Sequence, residues 1–220
     1  MKKKILIVLL FLINSNLFSQ NDSINVNPKY WEDQLYIGVA YNIFNNQPDA
    51  VDASEFSAGL SFGYIKDIPL NKGNTFAAGI GIGYNYDLYT HTLVANETNF
   101  TINDDASLNK LKTHNIEFPI QIRWRTSDAI NYSFWRIYAG MRVTYNLYNK
   151  FSYTLEGEDF AFKNINSYNK VQTGIELSVG YGAFNLYTYY GLSSVYKDAT
   201  FDNETIQTNI IKLGVIFYLL

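Results

Sequence analysis

Ile210-Ile211-Lys212-Leu213-Gly214-Val215-Ile216-Phe217-Tyr218-Leu219-Leu220 is the stretch that decides the fold. Ile211, Leu213, Val215, Phe217 and Leu219 alternate with Lys212, Gly214, Ile216 and Tyr218. Period two marks a strand with two distinct faces, and here the odd face is unbroken apolar. A soluble sheet would bury that face under a second layer, but no following segment offers one. The preceding stretches repeat the same pattern. Strands that are each apolar on one side suit a closed barrel with lipid outside, because lipid offers nothing to an open backbone edge.

Seven earlier stretches alternate in the same way. Leu35, Ile37, Val39, Tyr41 and Ile43 share one face, and Phe56, Ala58, Leu60, Phe62 and Tyr64 share the next. The third sets Phe76 to Tyr86 against Gly79, Gly81, Gly83 and Asp87, and the fourth sets Ile116 to Trp124 against Glu117, Gln121, Arg123 and Arg125. Trp135 to Tyr145 oppose Arg136, Tyr138, Gly140 and Arg142 in the fifth. Val171 to Tyr181 oppose Gln172, Gly174 and Glu176 in the sixth, and Phe184 to Leu192 oppose Asn185, Tyr187 and Tyr189 in the seventh. The expected fold is all-β: an up-and-down, eight-stranded antiparallel transmembrane β-barrel over residues 35–220.

The connections support the same topology. Those at 46–53, 95–111, 155–166 and 197–205 are long and polar; those at 67–73, 127–133 and 182–183 are short. Outer-membrane barrels have short periplasmic turns and longer extracellular loops, so the long set is expected outside. Gly182-Ala183 suits a two-residue type II′ hairpin, which would set Tyr181 opposite Phe184 on one face. Outward aromatics gather at the short-turn ends: Tyr64, Phe76, Trp124, Trp135, Tyr181, Phe184 and Phe217. They are expected to form an interfacial girdle against outer-membrane lipid.

Residues 1–20 carry Lys2, Lys3 and Lys4, then an apolar run from Ile5 to Leu12, then a polar end. That is the plan of a secretory signal peptide. Residues 21–34 read as a short periplasmic tail. Aromatics are 17% of the chain and mean hydropathy is −0.13, too polar for a bundle of membrane helices. A net charge of −3 argues against nucleic acid as a partner, and the absence of cysteine removes disulfides, thiolate metal sites and lipoprotein anchoring.

Lys212, Gly214, Phe217 and Leu219 have the spacing polar-x-Gly-x-x-aromatic-x-hydrophobic. This resembles the C-terminal assembly signal of Gram-negative outer-membrane barrels, and the resemblance implies recognition by the barrel-assembly machinery. Together with Ile116-Glu117-Phe118-Pro119-Ile120 and the Gly-rich third strand, it makes the chain similar to the PorT-like outer-membrane β-barrel family, related in shape to small OmpA- and OmpX-type barrels. The founding member of that family is linked to protein secretion, and no marker here carries that role over.

The inward face holds Asp87, Glu117, Arg123, Arg125, Arg136, Arg142, Glu176 and Lys212. Reversing the faces would put five cations into lipid. At ~2–4 kcal/mol each near the midplane and about 0–1 near an interface, the wrong parity loses on the order of 10 kcal/mol. The interior of an eight-strand barrel is just wide enough for side chains to fill it. Gly, Ala and Ser on the first three strands would leave room for Arg from the fourth and fifth. The expected arrangement is a salt-bridged plug, with Glu176, Tyr138, Tyr187 and Tyr189 as partners for the arginines. The expected function is a membrane scaffold or interaction protein. A narrow, anion-favouring solute path is the alternative. An outer-leaflet lipid enzyme would need a His-based site, but parity puts His91 inside and His114 outside. No enzyme activity, cofactor or metal is expected.

Overall fold

The computed structural model describes residues 33–47, 56–96, 99–102, 105–126, 135–197, 199–201 and 204–219. The expected leader, most of the tail, residues 48–53 of the 46–53 loop and the 127–133 turn lie outside the described residues. Among the described residues thirteen strands run in chain order: β1 Gln34–Asn45, β2 Ala58–Pro69, β3 Phe76–Thr90, β4 Leu93–Asn96, β5 Asn99–Ile102, β6 Ala106–Arg125, β7 Trp135–Leu155, β8 Glu158–Lys163, β9 Val171–Tyr181, β10 Phe184–Gly191, β11 Thr200–Phe201, β12 Glu204–Thr205 and β13 Asn209–Leu219.

Eight of them close a barrel in the order β1-β2-β3-β6-β7-β9-β10-β13, with β13 pairing back to β1. Every pair in the ring is antiparallel. The all-β, eight-stranded, up-and-down barrel read from the sequence is the fold. Closure removes the free edges that lipid could not satisfy.

The register gives the geometry. From Phe217, the pairs on one side run through Phe184 and Tyr181 to Trp135. On the other side they run through Ile37, Phe62, Tyr84 and Ile116 to Tyr145. The two paths meet β7 at Trp135 and Tyr145, ten residues apart, so the shear is ten. With eight strands and ordinary strand spacings, that shear sets a tilt of roughly 40°.

The faces fall as parity requires. Leu35, Ile37 and Val39 are exposed, while Tyr36 and Asn42 are buried; the same alternation holds around the ring. Gly182 has φ 59° and Ala183 is not left-handed, as a type II′ turn demands, and Tyr181 pairs with Phe184. Pro119 lies mid-strand. It has no N–H to donate, and the β3–β6 ladder passes from Ile80–Ile120 to Gly83–Glu117 without a pair between them.

Four expectations about the connections are corrected. The short turn placed at 67–73 begins later, because β2 continues to Pro69 and carries Asp67 inward. The loops placed at 95–111, 155–166 and 197–205 contain strands. β6 and β7 extend beyond the barrel wall as a ribbon to which β8 adds through the Glu156-Gly157 turn, where both residues have positive φ. β12, β11, β5 and β4 form a separate small sheet. Between the ribbon and the barrel mouth lies an apolar cluster that includes Phe44, Tyr89, Leu111, Phe151, Ile165, Tyr168, Tyr196 and Ile206. The first strand also begins one residue earlier than read, at Gln34.

Candidate functional site

The site is the lumen, and its charges sort into three tiers along the barrel. The middle tier centres on Arg142 of β7. Its Nη1 lies 2.7 Å from Glu117 Oε2 on β6, and its Nη2 lies 2.6 Å from Glu176 Oε2 on β9. Nε donates to the same Glu176 oxygen at 2.7 Å. Glu117 also accepts the Tyr36 hydroxyl at 2.6 Å, and Glu176 accepts Gln121 Nε2 at 2.7 Å and the Tyr187 hydroxyl at 3.3 Å. Five strands converge on one guanidinium. Charge-assisted bonds of this kind are the strong ones, and each carboxylate is satisfied from more than one side.

Nearer the short turns, Asp67 of β2 holds two arginines. Arg123 Nη1 is 2.7 Å from its Oδ1, and Arg125 Nη2 is 2.8 Å from its Oδ2; all three side chains are fully buried. Arg123 also hydrogen-bonds Gln34 Oε1, and its guanidinium sits 4.0 Å over the Tyr138 ring and 5.4 Å from the Tyr218 ring. Arg125 Nε donates to the Asn74 carbonyl at 2.9 Å. Arg136 faces Arg125 across the β6–β7 ladder and is buried.

Toward the long-loop end, Lys212 Nζ lies 2.7 Å from Asp87 Oδ2, and Asn42 donates to Asp87 Oδ1 at 3.0 Å. A ladder of amides then runs along the inner wall, from Asn85 through Asn115 and Asn146 to Asn149, with bonds of 3.0, 2.7 and 2.9 Å.

All eight charged residues read from the sequence face inward. Arg142, Glu117 and Glu176 meet, as do Lys212 and Asp87. Arg123 and Arg125 meet on a residue that was missed, Asp67. Gln34 and Tyr36 were also missed as partners. Tyr138 serves Arg123 through its ring face. Small residues make the room: a Cβ on Gly79 would stand 2.7 Å from Arg123 Cδ, and one on Gly63 would stand 2.6 Å from the Tyr36 hydroxyl.

On the outer face, six of the seven girdle aromatics form two groups along the ladder. Phe76 pairs with Trp124; Trp135, Tyr181, Phe184 and Phe217 are successive partners, with ring centroids 5.7 Å apart in Trp135–Tyr181 and Phe184–Phe217. Tyr64 stands apart, paired with Leu35, and its hydroxyl donates to Asp33 at 2.7 Å. Asp33 also meets outward-facing Lys66 at 2.6 Å. Burial pushes the Asp33 carboxyl up, but these two donors and the Asp67 amide outweigh it and hold it below its ordinary range. Gly214, at a close wall contact, pairs with Ala40, and the Lys212 of the assembly-signal spacing is also the lumen cation that meets Asp87.

His91 is buried beneath Phe44 and Phe151, whereas His114 is on the outer face among Tyr84, Tyr86 and Tyr148. The barrel wall separates them. Among the described residues no group of His, Asp and Glu has the geometry of a metal site.

The family model described as outer membrane protein beta-barrel domain matches residues 18–197. The chain belongs to this family. Its membership makes the apolar outer wall a lipid-facing one and places the protein in an outer membrane. Ail, the attachment invasion locus protein of Yersinia pestis, was solved in complex with the heparin analogue sucrose octasulfate; it is 11% identical with a TM-score of 0.41, over 87% of this chain and 100% of that one. The Neisserial surface protein A is 15% identical with a TM-score of 0.39, over 86% of this chain and 96% of that one. No curated protein matches the sequence.

Proposed function

We propose that this family member is a non-conducting outer-membrane barrel that works as a membrane scaffold or interaction protein. The observation that carries this reading is the continuity of the lumen network. Arg142 ties β6 to β9 at mid-height, Asp67 gathers two arginines on one side of it, and Asp87 holds Lys212 on the other. Side chains of that size, in a barrel of that shear, leave a solute little open path.

In this reading the long connections face outward and the short turns face the periplasm. Residues 1–20 direct export, and Lys212, Gly214, Phe217 and Leu219 present the barrel to the assembly machinery. The protein has no catalytic role and needs no cofactor. In this reading the β6–β7–β8 ribbon is the element a partner meets. Photo-crosslinking from Ala161 on β8 in intact membranes tests this. One reproducible protein adduct is the expected outcome; lipid adducts alone would refute a protein-scaffold role.

A second reading, a narrow anion-favouring path, has one observation behind it. Among the described lumen residues, Arg123, Arg125, Arg136, Arg142 and Lys212 face Asp67, Asp87, Glu117 and Glu176, five cations to four carboxylates. Swelling of liposomes in small anionic solutes distinguishes the two readings.

A further inference from the structure

The outer face changes character above its apolar band. On β6 the outward residues Ile116, Phe118, Ile120, Ile122 and Trp124 give way to His114, Lys112 and Lys110. Lys112 is directly opposite Lys150 of β7, and Lys150 is directly opposite Lys163 of β8. Lys110 stands one outward step higher, opposite Ser152. Directly paired residues share a face, so three lysines stand in a row across three adjacent strands with a fourth beside them. Like charges at roughly 5 Å Cβ spacing repel, and the row calls for an anion.

No described carboxylate stands within ion-pair distance of any of the four ammonium groups. The inward cations Arg123, Arg125, Arg142 and Lys212, and outward Lys66, each meet a carboxylate at 2.6–2.8 Å. The side-chain ammonium groups of Lys110, Lys112, Lys150 and Lys163 make no ion pair or hydrogen bond with any described residue. Asp159 lines the same shallow groove of about 260 Å³ as Lys110, Lys112 and Lys150, and its Oδ1 accepts the Thr154 hydroxyl at 2.7 Å.

The height of the row identifies the source of the anion. Tyr84, Tyr86, His114 and Tyr148 gather on the outer face, their rings centred 5.1–6.1 Å from His114. Such aromatics mark the upper edge of the lipid band. Lys112 is two residues beyond His114, roughly 7 Å along the strand and about 5 Å in height at this tilt. A lysine stem then carries its ammonium into the headgroup layer, with the apolar wall directly beneath for acyl chains.

We propose that Lys110, Lys112, Lys150 and Lys163 bind the phosphate groups of a phosphorylated glycolipid in the outer leaflet. Only the choice of leaflet rests on the loop orientation proposed above; binding in detergent does not.

The test titrates the purified barrel in non-ionic detergent with bis-phosphorylated lipid A and with its dephosphorylated form, counting bound lipid by native mass spectrometry. The phosphorylated form is expected to bind at least roughly tenfold tighter, and millimolar inorganic phosphate is expected to leave it in place. Combined Lys112→Gln, Lys150→Gln and Lys163→Gln should weaken binding on the order of 100-fold, while the three arginine replacements retain it. Equal binding of both lipid forms to the unmodified protein overturns the proposal without any variant. Displacement by inorganic phosphate overturns the lipid assignment in favour of a free-anion site. Unchanged binding by the glutamine variant overturns the role of the lysines.

Discussion

Replacing Arg142 with alanine removes the centre of the middle tier. Three contacts of 2.6–2.7 Å to Glu117 and Glu176 are lost, and both carboxylates remain with only 2% of their side-chain surface exposed. Breaking a buried pair by removing one partner costs about 3–5 kcal/mol, because the other charge is left uncompensated. Two carboxylates are stranded here, but their costs do not simply add. Glu117 keeps the Tyr36 hydroxyl and Glu176 keeps Gln121, and one of the acids can take up a proton. The expected loss is therefore about 3–5 kcal/mol, read as a shift in the urea midpoint of the barrel folded in lipid vesicles. Adding Glu117→Gln and Glu176→Gln to Arg142→Met removes every charge of the tier together and should recover more than half of the loss, since uncharged groups of similar volume carry no desolvation debt. Arg142→Ala within about 0.5 kcal/mol of the unmodified protein would refute the reasoning, because a buried guanidinium that costs so little cannot be compensating two carboxylates.

The other predictions concern the remaining tiers and the wall. Asp67→Ala should destabilise at least as much as Glu117→Ala, because it strands two fully buried arginines at once; equal or greater stability in urea would contradict the tier. Gly79→Val should cost about 1–3 kcal/mol by overpacking, since its Cβ meets Arg123 Cδ at 2.7 Å and Ile65 Cγ2 at 3.0 Å, and a mild Gly79→Val would show that Arg123 can move aside. Phe217→Ala should lower the heat-modifiable form in membranes and raise degraded protein in the periplasm, and unchanged levels would show that the assembly spacing has no such role.

Much of this arrangement is legible in the sequence because the barrel wall separates two solvents. Wherever one face meets lipid and the other a polar lumen, period two survives, and Val171 to Tyr181 can be read residue by residue. The reading fails where that contrast fades. Asp67 follows Lys66, an outward charge, and precedes Pro69, so the segment resembles a turn. Its parity with inward Ile65 was the available signal. Gln34 reads as tail by composition, although it continues the inward parity of Tyr36. Beyond the membrane edge, lipid no longer selects apolar outward residues. On β6 and β7 the pattern inverts there, with Leu111 and Phe151 inward and Lys112 and Lys150 outward. On β7 the parity also slips at Leu147, which has no partner between Asn115–Asn146 and His114–Tyr148. A polar, Asn-rich stretch with one slipped residue reads as loop, although Phe160 and Phe162 behind Glu156-Gly157 were signs of β8.

The closed lumen is tested most directly by electrical recording of the purified, folded protein in a planar lipid bilayer. With Arg142, Asp67 and Asp87 each holding a tier across the interior, the unmodified barrel should insert without steady current steps at either polarity. Stable, reproducible open-channel currents from the unmodified protein would contradict the account and make the five-to-four excess of lumen cations the start of an anion path.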